Sequence, residues 1–167
     1  MNRRSAIKAV GAAFVAVGAA FVAFGAGTGA ARSASLGGDG VVSVKSAYSF
    51  EETIRRLKAD IADKKITFFD AIDQAKLASG AGIELRPSTL LIFGNPPLGI
   101  QFLTAKPAAG LDWPVRLLVT EDAQGQVWAM YTDFAWIARR HGIENRDEAF
   151  KMASDVIASI ASSVAAK

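Results

Sequence analysis

The sequence contains no cysteine and a single histidine, His141. Without thiols the chain cannot form a disulfide, a thiolate metal site, an iron–sulfur cluster or a thioether-linked haem. A single imidazole also excludes metal sites that need several histidine ligands, so we expect no bound metal and no cofactor. The sequence has no nucleophile elbow, P-loop, dinucleotide-binding fingerprint or zinc-protease motif. These absences favour a non-catalytic protein over an enzyme.

The excess of positive charge is confined to the N-terminus. Residues 1–31 hold three of the 19 basic residues and none of the 16 acidic ones, so the rest of the chain carries equal numbers of each sign. A neutral chain lacks the electrostatic attraction through which proteins bind phosphate backbones. We therefore expect no nucleic-acid partner.

Residues 1–31 have the order of a secretory signal peptide, with a charged start, a long uncharged stretch and then small residues. The adjacent Arg3 and Arg4 resemble the twin-arginine export motif. We expect cleavage after Ala31 or Ala34, which places the mature chain in the periplasm or outside the cell.

The alternative is that the uncharged stretch, residues 9–26, remains as a membrane anchor. Its length reaches the lower limit for a helix that spans a bilayer. Its composition is mostly alanine and glycine, which makes insertion only marginally favourable. In that case the protein would be attached to a membrane only through its uncleaved leader.

Residues 32–40 are small and polar, which indicates a linker, and residues 41–167 are expected to form a single domain. Apolar runs bounded by turn residues predict strands over residues 41–44, 66–73, 89–93, 115–120 and 127–132. The strands follow one another with helices mainly at the two ends. This order predicts an α+β fold, in which helices pack on an antiparallel sheet of about four to five strands.

The most informative stretch is LRPSTLLIFGNPPLG, residues 85–99. Its continuous apolar run, LLIF, is typical of a central strand that is covered on both faces. The turn GNPP, residues 94–97, then leads into a predicted helix over residues 98–106. We expect this strand to be the centre of the fold.

Start and stop signals place the other helices. Ser49 and Glu52 form a capping box before a helical apolar stripe, and residues 145–148 repeat that pattern before the last helix. Gly142 ends a predicted helix over residues 134–141. A short helix over residues 74–79 and a loop over residues 107–114 complete the prediction.

Four segments carry a family resemblance: SFEETIRRLKADI, IELRPSTLLIFGNPPLG, LDWPVRLLVTED and VWAMYTDFAWIARRHGI. Together they resemble the domain-of-unknown-function family 302 (DUF 302). The resemblance implies a compact α+β unit with the strand–helix–four strands–helix arrangement of TATA-binding-protein-like folds. It also implies that the protein is a homodimer. Members of that family occur as exported proteins or beside cytochrome-type domains.

No activity is established for that family, so the resemblance supplies no catalytic residue. This chain also has Gln74 where many relatives have histidine, and Ile100 where they have threonine. A ligand role at those two positions is therefore not carried over.

Five residues are candidates for ligand binding: Arg86, Gly94, Asn95, Tyr131 and His141. The turn at Gly94 and Asn95 precedes a helix, whose first N–H groups can bind an anion, and Arg86 is near in sequence. The alternative is a structural turn in which the glycine supplies backbone freedom and Asn95 caps the helix. The structural use is the more common one.

The remaining candidates have equally ordinary uses. His141 can titrate near neutral pH or ligate haem, but a histidine in the last turn of a helix more often stabilises the helix dipole. Several aromatic residues would line a pocket, a dimer face or the core; these are Trp113, Trp128, Tyr131 and Trp136. Four aspartates would supply a cation site or acid–base groups if they converged; these are Asp70, Asp73, Asp112 and Asp133.

Three functions remain open on the sequence alone. The favoured one is an exported, dimeric, non-catalytic binding or interaction module that holds a small molecule between helix and sheet. The second is a small periplasmic enzyme that uses carboxylates and Tyr131. The third is an accessory partner of periplasmic redox proteins, which the family resemblance and the twin-arginine-like leader suggest.

Overall fold

The computed structural model describes residues 39–166. The predicted leader, residues 1–31, and nearly all of the predicted linker lie outside this range. The strands are β1 (Val41–Lys45), β2 (Thr67–Asp73), β3 (Ser88–Gly94), β4 (Val115–Glu121) and β5 (Val127–Thr132). The helices are α1 (Phe50–Asp63), α2 (Gln74–Gly80), α3 (Pro96–Ala105), α4 (Phe134–His141) and α5 (Asp147–Ser162).

The five strands form one sheet in the order β1-β5-β4-β3-β2, and every neighbouring pair is antiparallel. β1 and β2 are the edges, whereas β3 has a partner on each side. The chain follows the order of strand, helix, four strands and helix, with α2, α3 and α4 as additions. The predicted α+β class with an antiparallel sheet is confirmed.

One face of the sheet packs against the helices. In β3, Leu91 and Phe93 are buried in the same core as residues of the helices, whereas Leu90 and Ile92 on the opposite face are only half-buried. Neighbouring residues of a strand point to opposite faces, so the run is an alternating pattern and not a doubly covered one. The prediction that both faces are covered is wrong for the described part of the chain.

The helices pack where their apolar stripes predict. Ser49 caps α1 by accepting a hydrogen bond from the Glu52 N–H at 3.4 Å, which confirms the predicted start of this helix. The apolar stripe predicted for the last helix lies in the core, although its final member follows the end of α5; its members are Phe150, Ala153, Ile157, Ile160 and Val164. Phe150 stacks on Phe102 of α3 with ring centroids 4.2 Å apart, which fixes α3 against α5.

The C-terminal residues return to the edge strand β1. The Ala47 N–H donates to the Val164 carbonyl at 2.9 Å, and Ser46 forms an antiparallel bridge with Ala165. Val164 is fully buried. The segment after α5 is therefore held beside the first strand.

Three local predictions need correction. Helix α3 begins at Pro96 and not at residue 98, because proline suits the first helical positions, where no intrahelical N–H bond is needed. Part of the predicted loop over residues 107–114 is a 3₁₀ helix, Pro107–Leu111. The predicted cap of α5 is wrong, since this helix starts after Arg146 without any side-chain cap.

Within residues 39–166, none of the helices combines the length and the apolar character needed to cross a membrane.

Candidate functional site

A groove of about 860 Å³ lies between the edge strand β1 and helix α5. We call it the β1–α5 groove. Val42 and Val44 of β1 and Tyr131 of β5 line its sheet side, and Ala158, Ser159 and Ser162 of α5 line its helix side. Ligand pockets in proteins typically measure about 300–1,000 Å³, so this groove has room for a small molecule.

The local sequence explains why the groove stays open. Val42 pairs directly with Tyr131 across the β1–β5 ladder, so the two side chains lie next to each other on the helix-facing side of the sheet. The facing part of α5 carries the small residues Ala158 and Ser162, both exposed. Small side chains on the helix leave a space above the sheet that larger residues would fill.

Most polar groups along this groove already have partners. The Ser46 hydroxyl lies 2.6 Å from the Thr53 hydroxyl, and the Gln126 amide donates to the Ser46 carbonyl at 3.0 Å. The Ser162 hydroxyl donates to the Ser159 carbonyl at 3.0 Å. The Tyr131 hydroxyl, in contrast, makes no hydrogen bond to any residue that the structure describes. The groove therefore offers a mostly apolar surface that includes the Tyr131 phenol, with the charged Lys45 and Asp155 also in its lining.

Burial raises the pKa of Tyr131 above its usual value near 10, and the nearby Asp133 carboxylate raises it further. Both effects disfavour the phenolate, because a negative charge is poorly solvated there and is repelled by Asp133. At neutral pH this phenol is therefore a hydrogen-bonding group and not a base.

The turn at Gly94 and Asn95 does not present an anion site. Prolines occupy the first two positions of α3 and have no N–H. The next two N–H groups, of Leu98 and Gly99, both donate to the Asn95 carbonyl, at 3.0 and 2.9 Å. No N–H of the first helical turn is left for a ligand, so the anion hypothesis lacks the donors on which it depended.

The capping hypothesis for the same turn is also wrong, since the Asn95 side chain makes no capping hydrogen bond. What the turn does provide is space for Trp113. The indole edge lies directly over Gly94 and Gly99, and a Cβ on Gly99 would fall only 1.9 Å from Trp113 Nε1. The glycines in this stretch are therefore required by close packing.

The five candidate residues lie in four separate places. Tyr131 is in the β1–α5 groove, Gly94 and Asn95 are at the start of α3, and Arg86 lies in the loop between α2 and β3. Arg86 lines a different groove, formed with α2. His141 lies at the end of α4. The structure does not bring these candidates together into one site.

His141 is buried against Asp112, and its Nε2 lies 2.6 Å from Asp112 Oδ2. Since a carboxylate can only accept, Nε2 must carry the hydrogen. Asp112 also accepts from Arg116 and Arg140. The sequence-based interpretation of His141 as a helix-end residue missed this partner, which is 29 residues away.

The four candidate aspartates do not converge on one site in the described part of the chain. Asp73 and Asp133 cap α2 and α4, and Asp112 bonds to cations. Within residues 39–166, no group of three or more histidine, aspartate or glutamate side chains is placed to hold a metal ion.

Comparison with known proteins gives relatives of two kinds. The crystal structure of an uncharacterised DUF302 protein from Bacillus stearothermophilus superposes with a TM-score of 0.69 at 15% identity, over 75% of this chain and 98% of that one. The fluoride-specific ion channel FluC 1 of Brucella suis is 40% identical over 110 residues, and the equally named protein of Brucella abortus matches to the same extent.

Those 110 residues are 66% of this chain but only 43% and 41% of the two Brucella proteins. The chain thus spans about two fifths of the length of these curated relatives. The family model described as "Domain of unknown function DUF302" matches residues 42–160, which include every strand apart from Val41. The chain therefore belongs to the DUF302 family.

Proposed function

We propose that this domain is a non-catalytic binding module that holds a small, mostly apolar molecule in the β1–α5 groove. The observation that carries the proposal is the Tyr131 hydroxyl, which has no partner among the described residues and lines a large groove whose surface is mostly apolar, with the charged Lys45 and Asp155 also in its lining. Apolar concavities with a few placed polar groups are the usual form of small-molecule sites. The ligand would bury its apolar body against Val42 and Val44 and bond to the phenol.

The chemistry of the groove supports binding over catalysis. A general base works best when its pKa lies near the operating pH, and the pKa of Tyr131 is raised by burial and by Asp133. The Asp133 carboxylate is already occupied, because it accepts the Trp136 N–H at 2.7 Å as the cap of α4. The enzyme hypothesis with carboxylates and Tyr131 therefore has less support.

Filling the groove should abolish binding without unfolding the protein. We expect Ala158→Leu to remove the thermal stabilisation that apolar probes such as indole, phenol and 1-hexanol give to the wild type. We expect Tyr131→Phe to lower the affinity for these probes by roughly fivefold, because one hydrogen bond is lost. The matched control is Ala62→Leu, an exposed alanine of α1 outside the groove. Equal probe shifts in Ala158→Leu and Ala62→Leu would refute the site.

Native mass spectrometry of protein purified from its own source identifies the natural ligand directly. A retained mass on the wild type that is lost in Ala158→Leu supports the proposal. The proposal is refuted if the wild-type chain retains no ligand and if no probe changes its thermal stability. The same spectrum reports the oligomeric state.

Dimerisation is part of the proposal, and the open face of the sheet supports it. Four apolar side chains line up across four strands on this face, each paired in register with the next: Ile72, Leu90, Leu118 and Met130. All four are half-buried. An apolar row of this kind suits a second copy of the same face, as in two-fold symmetric dimers.

Export is the other part of the proposal, and it depends on residues 1–31. We expect intact-mass analysis of the periplasmic or culture fraction to show a mature chain that begins between residues 27 and 40. The charged, apolar and small-residue order of the leader motivates this expectation. Recovery of the full-length chain in membranes alone would contradict cleavage and favour the anchor.

A second candidate function is favoured by the Brucella relatives, which are named as fluoride-specific ion channels. Since this chain matches about two fifths of their length, it would act as an accessory domain of a membrane protein and not as the channel itself. This differs from the redox-partner hypothesis, which rests on the family association and the leader. Affinity purification from solubilised membranes, followed by identification of the bound proteins, separates the two.

A further inference from the structure

Two arginines from different elements meet at one buried carboxylate. Asp112 is the one buried aspartate, glutamate, lysine or arginine in the described part of the chain. Arg116 of β4 donates from Nη2 to Asp112 Oδ1 at 3.1 Å, and Arg140 of α4 donates from Nη1 to both carboxylate oxygens at 3.1 Å. The side chain of Asp112 is 4% exposed. It therefore bonds to both guanidinium groups from the buried side.

Most of the donors of these two guanidinium groups are not used by the protein. Arg116 contributes only Nη2, which also donates to the Leu111 carbonyl at 2.9 Å, and Arg140 contributes only Nη1. Each guanidinium has five N–H donors. The other nitrogens of both groups have no acceptor among residues 39–166, and the side chains are 49% and 45% exposed. These donors are therefore free to bond to water or to a ligand.

The charge of the cluster favours an added anion. Two guanidinium groups share one carboxylate, which leaves a positive charge in excess. Both groups are also held in place, Arg116 by two acceptors and Arg140 by Asp112 and by the Trp136 ring, whose centroid lies 5.4 Å from its Cζ. Fixed guanidinium groups bind carboxylate and phosphate oxygens through paired N–H bonds.

We propose that Arg116 and Arg140 form a binding site for a small oxyanion, namely a carboxylate, phosphate or sulfate group, and that Asp112 is the positioning residue. His141 completes the support by bonding to Asp112 Oδ2 at 2.6 Å. The residues of this site do not line the β1–α5 groove, so the proposal does not depend on the function proposed above. The competing explanation is a purely structural tie between the loop before β4 and the end of α4.

Thermal shift and phosphorus NMR with inorganic phosphate test the site on the full chain. At tenfold the dissociation constant, we expect phosphate to raise the wild-type melting temperature by roughly 4 °C over chloride at equal ionic strength. Arg116→Gln and Arg140→Gln should each lose most of that shift. Arg139→Gln is the matched control, because it removes an exposed positive charge of the same helix and should keep the full shift.

Two results would overturn the site. One is a phosphate shift of equal size in Arg116→Gln, Arg140→Gln and Arg139→Gln, which would show a general salt effect. The other is the absence of saturable phosphate binding to the wild type by phosphorus NMR, which needs no variant to fold. Sedimentation with phosphatidylcholine vesicles, with and without phosphatidylglycerol, separates the sources of the oxyanion. Binding to the anionic vesicles assigns the site to lipid phosphate, and binding to phosphate alone assigns it to a solute.

Discussion

Leu91→Ala should lower the free energy of unfolding by roughly 2–5 kcal/mol, and Phe93→Ala by roughly 3–5 kcal/mol. Both side chains are almost completely buried, with exposures of 0% and 1%. Leu91 pairs with Leu117 on one side and with Ala71 on the other, so the cavity would lie between the helices and a strand whose backbone is held on both sides. Urea unfolding monitored by circular dichroism measures the loss.

The control for this experiment is Leu77→Ala, the same substitution at a site that is 64% exposed. Because this side chain is already in water, the change should stay within about 0.5 kcal/mol. If Leu91→Ala and Leu77→Ala have equal effects, β3 does not occupy the buried position in the sheet that we describe.

Gly99→Ala should destabilise the protein by roughly 1–3 kcal/mol, although alanine is normally favoured over glycine inside a helix by about 1 kcal/mol. Contact with Trp113 reverses the sign of the expected change in stability. An added methyl group would lie 1.9 Å from Trp113 Nε1 and 2.2 Å from its Cε2, so the indole must move away from α3. Tryptophan fluorescence should report the displaced ring, and thermal unfolding should report the lost stability.

Gly80→Ala is the matched control, because no atom lies within 4 Å of the added methyl group at that end of α2. We expect it to be neutral or slightly stabilising, since alanine reduces the freedom of the unfolded chain. A second comparison uses Trp113→Leu, which should remove most of the penalty of Gly99→Ala when the two are combined. Additive effects of the two substitutions would contradict the contact.

Local sequence patterns predicted the strands well because each strand is bounded by strong turn residues. β3, for example, extends by one residue at each end of the predicted range. The same patterns did not reveal which faces are covered, since the run LLIF looks identical whether one face is buried or both. The Asn95 cap failed for a different reason. Capping depends on a side-chain rotamer, which the residue type favours but does not determine.

The candidate sites were harder to predict because their parts come from distant segments. Val42 and Ala158 line one groove but are separated by more than a hundred residues, and no local pattern connects an edge strand to a late helix. Asp112 and His141 are likewise 29 residues apart along the chain, so no local pattern predicts their contact. Tyr131 was identified as a candidate from its residue type, although its environment could be seen only in three dimensions.

The pairing of β1 with β5 also has a consequence for the order of folding. β1 is the first strand to be made, but its ladder partners lie between residues 128 and 132, and Ala165, which pairs with Ser46 just after β1, follows later still. During synthesis this strand stays solvated and unpaired until nearly the whole domain has left the ribosome. Closing so long a loop is entropically costly. The edge strand should therefore be the last to join, and the groove beside it should form only at the end of folding.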